Sequence, residues 1–273
     1  MTQKFSVLMS LYYKEKPEYF QECIESVLNQ TIKPKEIVIV FDGPIGDELR
    51  KTVYSYIKKQ PSLYKVVPLK ENCGLGLALR AGILRCHYEL IARMDTDDIN
   101  RKDRFELQLK EFEKDPELDI CGCHMAEFEG TVDNIVTKRT VPLEDKAIKK
   151  YQRKRDGLNH ATVMFKKSAV LRAGNYQSCL LMEDTLLWAN MFMTGSKAMN
   201  IDDCLYYFRL SEDMFERRGG WSYFKKYRYG RKLIYKTGFI SWWDYKSTVI
   251  VQFFVALMPN KLRGWLFKKM LHK

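Results

Sequence analysis

The sequence predicts an α/β fold with a mostly parallel central sheet flanked by helices, and two patterns support that prediction. Through about residue 130, short runs rich in β-branched and aromatic residues alternate with longer runs whose apolar residues share one helical face. Such alternation is typical of successive strand–helix units, which build parallel sheets. With 273 residues and 46% apolar content, the chain can form one large domain with a full core, or one domain with an appendage.

The predicted elements of the first half follow one another in a regular order. Each strand is a short apolar run, and the helix after it has apolar residues three or four positions apart. Pro17 suits a first helical turn, where its missing N–H would have no partner. The predicted strands are FSVLMSL, EIVIVF, YKVVPL and YELIARM, and the predicted helices follow Pro17, run through Leu49, Val53 and Ile57, arise from ENCGLGLALRAGILRC, and carry Phe105, Leu109 and Phe112.

The second half of the chain is less regular. A strand is predicted at LDICGCHMAEFE and a charged helix near residues 143 to 155. The segment NHATVMF follows, and LLMEDTLLWANMFMTG places Leu187, Met191 and Phe192 on one helical face.

Polar residues follow the ends of several predicted strands. Tyr12, Asp42 and Asn72 each come shortly after one strand, and an acidic cluster that begins at Asp95 follows the strand YELIARM. The carboxyl ends of parallel strands share one edge of a sheet, and ligands of open α/β folds bind outside that edge. We therefore expect these groups to converge on one crevice.

The acidic cluster needs an explanation, because neighbouring acids repel one another and lose hydration when they leave water. Asp95 and Asp97 are two positions apart, so in extended backbone their side chains point the same way and can share one Mg²⁺ or Mn²⁺. The alternative is a solvated acidic turn that caps the following helix through Asp98 or Asn100.

The cysteines and the amino terminus bear on the cellular compartment. Seven cysteines form an odd set without metal-ligand spacing, which favours reduced thiols in the cytosol. MTQKFSVLMSLYY lacks the small-residue cleavage site of an export signal, so we interpret it as a first strand. The segment STVIVQFFVALMPN has 14 residues, which is too short to span a bilayer. These features predict a cytoplasmic protein.

The formal charge of +12 is concentrated at the carboxyl end. Residues 217–273 hold 14 Lys and Arg against a single acid, Asp244, so the preceding part is nearly neutral overall. In NKLRGWLFKKMLHK, large apolar residues recur at helical spacing between cations, which describes a helix in an anionic membrane interface. The aromatic and cationic stretch before it suits lipid headgroups and equally RNA. A final helical hairpin packed on the preceding domain is the structural alternative.

Six segments of the chain stand together in an order and spacing that is seen in one enzyme family. They are FSVLMSLYYKEKPEYFQECIESVLNQT, EIVIVFDG, ENCGLGLALRAG, YELIARMDTDDINRKDRF, NHATVMFKKSAVLRAG and EDTLLW. In them the chain resembles family 2 glycosyltransferases, above all the bacterial enzymes that assemble capsule, exopolysaccharide and O-antigen repeat units. The likeness extends over residues 4 to about 210. It implies a GT-A-type, Rossmann-like fold that binds a nucleotide sugar.

The resemblance implies roles for the residues at the strand ends. Tyr12 is expected to stack on the nucleotide base, and Asp42 to accept a hydrogen bond from it. An imide N–H offers a donor to a carboxylate, so Asp42 suits uridine or thymidine. Asn72 and Gly74 are expected to line the ribose and diphosphate.

The resemblance also implies the chemistry. Asp95 and Asp97 match the family's D-x-D element, with Asp97 as the direct ligand of a cation that bridges the diphosphate and stabilises it as leaving group. Glu183 and Asp184 match the acidic pair that supplies the catalytic base, for which we choose Asp184; the reaction then inverts the sugar's anomeric configuration. The alternative is that both acids merely begin a helix, where they interact favourably with its dipole.

Two further residues and three departures from the family pattern complete the site prediction. Arg93 is expected to hold the charge of the acids or to contact phosphate, or else to form a structural ion pair. His160 stands where relatives place a histidine near donor or acceptor; otherwise it is a hydrogen-bonded core residue. Tyr13, Arg80 and Leu186 differ from the residues frequent in relatives, which leaves the diphosphate and acceptor contacts open.

These interpretations predict a glycosyltransferase on the cytoplasmic face of the plasma membrane. It uses Mn²⁺ or Mg²⁺ and a UDP-sugar to extend a lipid-linked glycan, and no nucleic acid is expected as partner. Residues 1–215 are predicted to form the GT-A catalytic domain, and residues 216–273 a basic amphipathic helical tail that associates with the membrane surface. One alternative is a non-catalytic module that binds anionic lipid or RNA through the tail. The other is a nucleotidyltransferase, but that class would have a glycine-rich, basic signature near the first strand, and the segment MSLYYKEKP has none.

Overall fold

A computed structural model of the protein describes residues 3–210 and 219–258. In the first half the bounds are β1 Phe5–Leu11, α1 Pro17–Leu28, β2 Glu36–Phe41, α2 Asp47–Lys59, β3 Tyr64–Pro68, α3 Leu75–Arg85, β4 Leu90–Arg93, β5 Ile99–Asn100 and α4 Arg104–Lys114. They continue with β6 Leu118–Phe128, β7 Ile135–Arg139, α5 Asp145–Gln152, a 3₁₀ turn at His160–Thr162, β8 Met164–Lys166, α6 Lys167–Arg172, α7 Glu183–Met193, β9 Lys197–Arg209, α8 Gly220–Lys236 and α9 Trp242–Leu257.

The first half of the sheet is entirely parallel. Its strands lie in the order β3, β2, β1, β4. Successive residues of β1 point to opposite faces, so that Val7 packs in the core with α1 and α2 while Leu8 packs with α3 and α7. Because both faces are covered by helices, these strands are continuous apolar runs.

Beyond β4 the sheet is mixed. β8 is antiparallel to both β4 and β6, β6 runs parallel to β9, and β7 pairs antiparallel with β6. The short β5 pairs antiparallel with β9 at the edge. The predicted α/β fold class with helices flanking a central sheet is confirmed. The strands β5, β7 and β9 and the helix α6 are additions that the sequence analysis did not predict.

The helices α8 and α9 form a hairpin that packs on the body. Ile234 and Ile240 join Leu186 of α7 in an apolar cluster. The guanidinium of Arg153 pairs with the buried Asp244 at 2.5 Å. This part of the basic tail therefore has the hairpin geometry that was the alternative to a membrane-surface helix.

Other parts of the predicted tail lie outside the described residues. They are residues 216–218 and the segment 259–273, which includes Leu262, Trp265, Leu266 and Met270. None of the helices in the described part of the chain has both the length and the apolar character needed to cross a membrane.

Candidate active site

A cavity of about 420 Å³ opens at the carboxyl ends of the parallel strands. It brings together the polar residues that were predicted to converge there, as the topology of an open α/β sheet requires. Its lining residues are Ser10, Tyr12, Glu15, Asp42, Asn72, Gly74, Leu75, Asp95, Thr96, Asp97 and Phe208. A second cavity, of about 500 Å³, lies at the starts of β1 and β4 beside Lys4 and Leu90, and holds none of the predicted site residues.

Asp42 fixes the loop that precedes α3. Its Oδ1 accepts a hydrogen bond from the Cys73 N–H at 2.7 Å, and its Oδ2 accepts one from the Gly74 N–H at 3.0 Å. The Asn72 side chain donates to the Asp42 carbonyl oxygen at 3.2 Å. Each carboxylate oxygen has a further lone pair. Asp42 can therefore hold this loop and still accept a hydrogen bond from a bound base.

Two glycines allow the end of β2 and this loop to meet. Gly43 and Gly74 have φ values of +85° and +86°, in the left-handed region that favours glycine. A Cβ on Gly43 would lie 2.6 Å from the backbone nitrogen of Asn72. The two segments thus touch backbone to backbone, which places Asn72 in the cavity wall.

Arg93 and Asp95 form an ion pair beneath the cavity. Arg93 is 2% exposed, and both of its terminal nitrogens donate to the two carboxylate oxygens of Asp95. The Arg93 Nε has no hydrogen-bond partner among the described residues. A buried guanidinium without a counter-ion would be strongly destabilising. The structure therefore has the ion pair that the sequence left as one of the options for Arg93.

Asp97 faces the same cavity without a comparable partner. The Arg209 Nε donates to the Asp97 carbonyl oxygen at 2.8 Å, but within the described residues no side chain donates a hydrogen bond to the Asp97 carboxylate. Burial, and then the charges of Asp95 and Glu15, raise the pKa of Asp97 to about 7. Glu15 accepts a hydrogen bond from the Thr96 hydroxyl at 2.6 Å, and burial raises its pKa as well. Three acids that repel one another thus surround one partly buried space.

Asp98 has a structural position below this space. It is fully buried and accepts hydrogen bonds from the Tyr206 hydroxyl at 2.9 Å and from the Arg209 N–H at 2.7 Å. Asp103 occupies the N-cap position of α4. The alternative in which Asp98 or Asn100 caps that helix is therefore wrong.

The first turn of α7 carries Glu183 and Asp184. The Thr185 N–H donates to the Asp184 Oδ1 at 2.7 Å, and the Thr185 hydroxyl donates to Asp156 at 2.8 Å. Burial, and then the charges of Asp156 and Glu183, raise the pKa of Asp184 to about 7. The Asp184 side chain is nevertheless 23% exposed, so it remains accessible. A carboxylate with a pKa near neutrality is well suited to accept a proton.

His160 lies between the ion pair and Asp184. Its Nε2 is 2.6 Å from the Tyr176 hydroxyl, and its Nδ1 is 3.9 Å from the Asp184 Oδ2. Burial, and then the charge of Arg93, hold the pKa of His160 well below its ordinary value. The imidazole is therefore neutral at physiological pH. Its contact with Asp184 is one between a dipole and a carboxyl group rather than an ion pair.

Gly76 joins the two halves of the site. A Cβ at this position would lie 2.8 Å from the Cβ of Glu183. The absence of a side chain lets the start of α3 approach the first turn of α7. The loop that lines the cavity and the acidic pair of α7 are thereby held against each other.

The three departures from the family pattern have identifiable positions. Arg80 donates to the Tyr176 carbonyl oxygen at 3.0 Å. Leu186 is 3% exposed and packs beneath the helical hairpin. Tyr13 is exposed beside Tyr12, with ring centroids 5.8 Å apart. Arg80 and Leu186 thus stabilise the surroundings of the site.

Several residues of this region were not identified from the sequence. Glu15 and Thr96 lie in the cavity, and Asp156 and Tyr176 lie beside Asp184. Glu15 could have been found, because it follows β1 at the same sheet edge as Tyr12. Asp156 and Tyr176 stand in irregular segments, where the sequence has no periodicity from which to infer their position.

The donor groups of the cavity fit a hard divalent cation. Asp95, Asp97 and Glu15 offer carboxylate oxygens, the ligand type that Mg²⁺ and Mn²⁺ prefer. Across residues 3–210 and 219–258, no three His, Cys, Asp or Glu side chains come together as a metal site of their own. This arrangement fits a cation whose coordination is completed by a bound diphosphate. Asp97 would be better placed than Asp95 to bind such a cation directly, because Arg93 engages both oxygens of Asp95.

Comparison with known proteins identifies relatives over the whole chain. The family model described as glycosyl transferase family 2 matches residues 6–177. The chain is 39% identical over 268 residues to the amylovoran biosynthesis glycosyltransferase AmsE of Erwinia amylovora, covering 97% of this chain and 98% of that one. It is 34% identical to the UDP-Gal:alpha-D-GlcNAc-diphosphoundecaprenol beta-1,3-galactosyltransferase of Escherichia coli, covering 100% of this chain and 98% of the relative.

Among solved structures, the chain is similar to the mannosyltransferase PcManGT of Pyrobaculum calidifontis in complex with GDP-Man and Mn²⁺. The TM-score is 0.65 at 15% identity, over 96% of this chain and 72% of the other. At that identity the likeness concerns the fold. It confirms the predicted GT-A-type fold class.

Proposed function

The chain belongs to glycosyltransferase family 2, and on this premise we propose that it transfers a sugar from a UDP-sugar to a lipid-linked glycan, with inversion and with Mn²⁺ or Mg²⁺ in its site. Family membership makes the chain a glycosyltransferase, and its relatives act in polysaccharide biosynthesis. Family membership therefore argues against the two other classes considered from the sequence, the nucleotidyltransferase and the non-catalytic binding module.

The observation that carries the proposal is the meeting of Tyr12, Asp42, Asn72 and Asp97 in one cavity. The Tyr12 ring is 36% exposed at the cavity, where a base can stack on it. Asp42 offers an acceptor that matches the imide N–H of uracil. The Escherichia coli relative is named for a UDP-sugar donor, which supports the same choice here.

Asp97, with Asp95 behind it, would hold the divalent cation. When bound, that ion would supply positive charge against the diphosphate and so favour the departure of UDP. The Arg93 guanidinium orients the Asp95 carboxylate by donating to both of its oxygens. Burial, and then the charges of Asp95 and Glu15, raise the pKa of Asp97, and a bound cation would offset those charges.

Asp184 acts as the catalytic base in this proposal. An acceptor hydroxyl attacks the anomeric carbon from the face opposite the nucleotide, and its proton passes to the Asp184 carboxylate. The new carbon–oxygen bond forms as the bond to the diphosphate breaks, so UDP departs and the configuration inverts. Burial, and then the charges of Asp156 and Glu183, keep the pKa of Asp184 near 7.

The acceptor and the location complete the proposal. The Escherichia coli relative is named for a diphosphoundecaprenol-linked acceptor, which supports a lipid-linked glycan here. We assign catalysis to residues 1–215 and association with the anionic inner face of the plasma membrane to residues 216–273. The chain would then work where lipid-linked intermediates are exposed to cytoplasmic nucleotide sugars.

A transfer assay tests the function. Purified protein is incubated with Mn²⁺, a panel of UDP-sugars and a short-chain diphosphate-linked acetylhexosamine, and the product's anomeric configuration is determined by NMR. We expect one UDP-sugar to be used and the anomeric configuration to be inverted. Retention of configuration would overturn the assignment of Asp184 as base, and the absence of transfer with every UDP-sugar would overturn the donor class.

Matched variants separate the base from general effects on the fold. Asp184→Asn should retain UDP binding but lower the turnover number by about 10² to 10⁴, the usual contribution of a positioned base. Asp203→Asn is the control, because Asp203 is 49% exposed and pairs with Arg101 away from the cavity. The control should keep the wild-type rate.

A further inference from the structure

The outward face of α9 is unusually apolar for a surface helix. Trp243, Ile250, Phe254 and Leu257 are 76%, 54%, 59% and 58% exposed. Their spacing of seven, four and three residues places them along one side of the helix. Val251, 62% exposed, widens that side. A contiguous exposed patch of large apolar side chains marks an interaction site rather than an ordinary surface.

Other residues of α9 contact the rest of the fold. Phe253 packs edge-on against Trp221 and Phe224 of α8, with ring centroids 6.4 and 5.4 Å apart. Asp244 caps the helix through Ser241 and pairs with Arg153. The apolar face is thus held in place by contacts that other residues of the same helix make.

The charges around this face have one sign. Among residues 219–258 the exposed charged side chains are all cationic, and the single acid, Asp244, is buried. The exposed cations are Lys225, Lys226, Arg228, Lys232, Lys236 and Lys246. The Lys246 ammonium lies 5.3 Å from the centre of the Trp242 ring. Cations and tryptophans beside an aliphatic face are the composition of elements that lie in a membrane interface.

We propose that the exposed face of α9, with the cations of α8, docks the protein on an anionic lipid bilayer and presents lipid-linked acceptors to Asp184. The acceptor part rests on the proposed function. A second copy of the chain is a poorer occupant, because a two-fold contact through this hairpin would bring like charges together. RNA offers nothing for Ile250, Val251 and Leu257 to contact, since nucleic acids bind cations and aromatic rings.

The hairpin is also placed to link the membrane to the reaction. A Cβ on Gly230 of α8 would lie 3.0 Å from the sulfur of Met182, the residue before Glu183. The buried Arg231 donates to the Arg153 carbonyl oxygen at 2.7 Å, in the segment that leads to Asp156. The docking element therefore contacts both segments that surround the candidate base.

Vesicle co-sedimentation tests the docking surface with the full chain and no donor. Wild-type protein is mixed with vesicles of phosphatidylcholine alone, or of equal parts phosphatidylcholine and phosphatidylglycerol. We expect binding to the anionic vesicles. Ile250→Glu combined with Phe254→Glu should weaken it about tenfold or more, because two apolar anchors become like-charged with the lipid. Leu84→Glu is the matched control, since Leu84 on α3 is as exposed as Phe254, at 59%.

A second variant tests the electrostatic part. Lys225→Gln combined with Lys232→Gln should weaken binding about fivefold per charge removed, and added salt should reduce that difference. Both lysines are exposed, so neither change threatens the fold. Wild-type binding by the double Glu variant would overturn the proposal. So would a wild-type dimer that this variant converts to a monomer.

Transfer assays keep this proposal separate from the proposed function. The double Glu variant should retain wild-type turnover with a water-soluble acceptor analogue and lose it with an acceptor embedded in anionic vesicles. Equal losses with both acceptors would overturn the docking role. If wild-type protein transferred no sugar to either acceptor, the proposed function would fail while the sedimentation result still decided the docking surface.

Discussion

Asp184→Asn should make the unliganded protein more stable at pH 8, although it removes the candidate base. The folded chain raises the pKa of Asp184 to about 7, chiefly through burial and then through Asp156 and Glu183. Ionising this carboxyl group therefore costs more in the folded chain than in the unfolded one. Asn keeps the acceptor oxygen for the Thr185 N–H, without the charge.

The size and pH range of this gain follow from the two pKa values. The ordinary pKa is 3.8 and the folded one about 7, and at about 1.4 kcal/mol per pH unit the gap of about three gives an upper limit near 4 kcal/mol. Because the side chain is 23% exposed, water screens part of this cost, and we expect about 2 kcal/mol. Below pH 3.8 the Asp184 carboxyl group is protonated in both the folded and the unfolded wild-type chain, so its ionisation contributes no difference in stability between wild type and variant. The wild-type chain then loses stability relative to the variant as the pH rises to about 7, and the difference is constant above it.

Thermal unfolding followed by circular dichroism at pH 4, 6 and 8, without donor or metal, measures the effect. For a chain of this length about 2 kcal/mol corresponds to a rise in Tm of about 4 to 8 °C. Asp103→Asn is a control with the opposite sign, because a hydrogen bond from Arg101 lowers the pKa of Asp103. That control should lose stability at pH 8. The measured quantity is the Tm of Asp184→Asn minus the Tm of wild type at each pH. If this difference were no larger at pH 8 than at pH 4, the reasoning from burial would be refuted.

Three other substitutions test the donor side and its support. Asp97→Asn should abolish the Mn²⁺-dependent rise in Tm that UDP produces, and an unchanged rise would mean that the cation is held elsewhere. Arg93→Met should lower the free energy of unfolding by about 2 to 3 kcal/mol in urea titrations, because it strands a carboxylate that is 29% exposed; an unaltered midpoint would show that the pair is dispensable. Gly76→Ala places a Cβ 2.8 Å from that of Glu183 and should lower kcat about tenfold or more, whereas Gly46→Ala, with no atom within 4 Å of its added Cβ, should not.

The parallel half of the fold was predictable because each of its elements has a local signature. Strands β1 and β2 coincide with their predicted runs, and α1 begins at Pro17. Strand β9 was not predictable in this way. Asp202 and Asp203 interrupt its apolar pattern, and its register with β6 shifts between Cys123 and His124. Its pairing is long-range, and the sequence shows no regular alternation there.

In the candidate site, too, the residues at the ends of regular strands were predictable and those in irregular segments were not. Tyr12, Asp42 and Asp97 could be placed together because parallel topology brings strand ends to one edge. The environment of Asp184 could not, since Asp156 and Tyr176 approach it from irregular segments. The family resemblance supplied a role for the acidic pair. It did not supply the geometry that gives one of its members a pKa near 7.

The two acids with a pKa of about 7 differ in what can lower that pKa. The pKa of Asp97 is raised by burial and then by the charges of Asp95 and Glu15, which line the same cavity. A divalent cation in that cavity would therefore lower the pKa of Asp97 directly. The pKa of Asp184 is raised by burial and then by the charges of Asp156 and Glu183. Neither of these two residues lines the cavity that contains Asp97. A cation held by Asp97 would therefore act less directly on the pKa of Asp184 than on that of Asp97. On this reasoning the arrangement allows one acid to become a metal ligand while the other keeps its affinity for a proton, which a single shared cluster of carboxylates could not do.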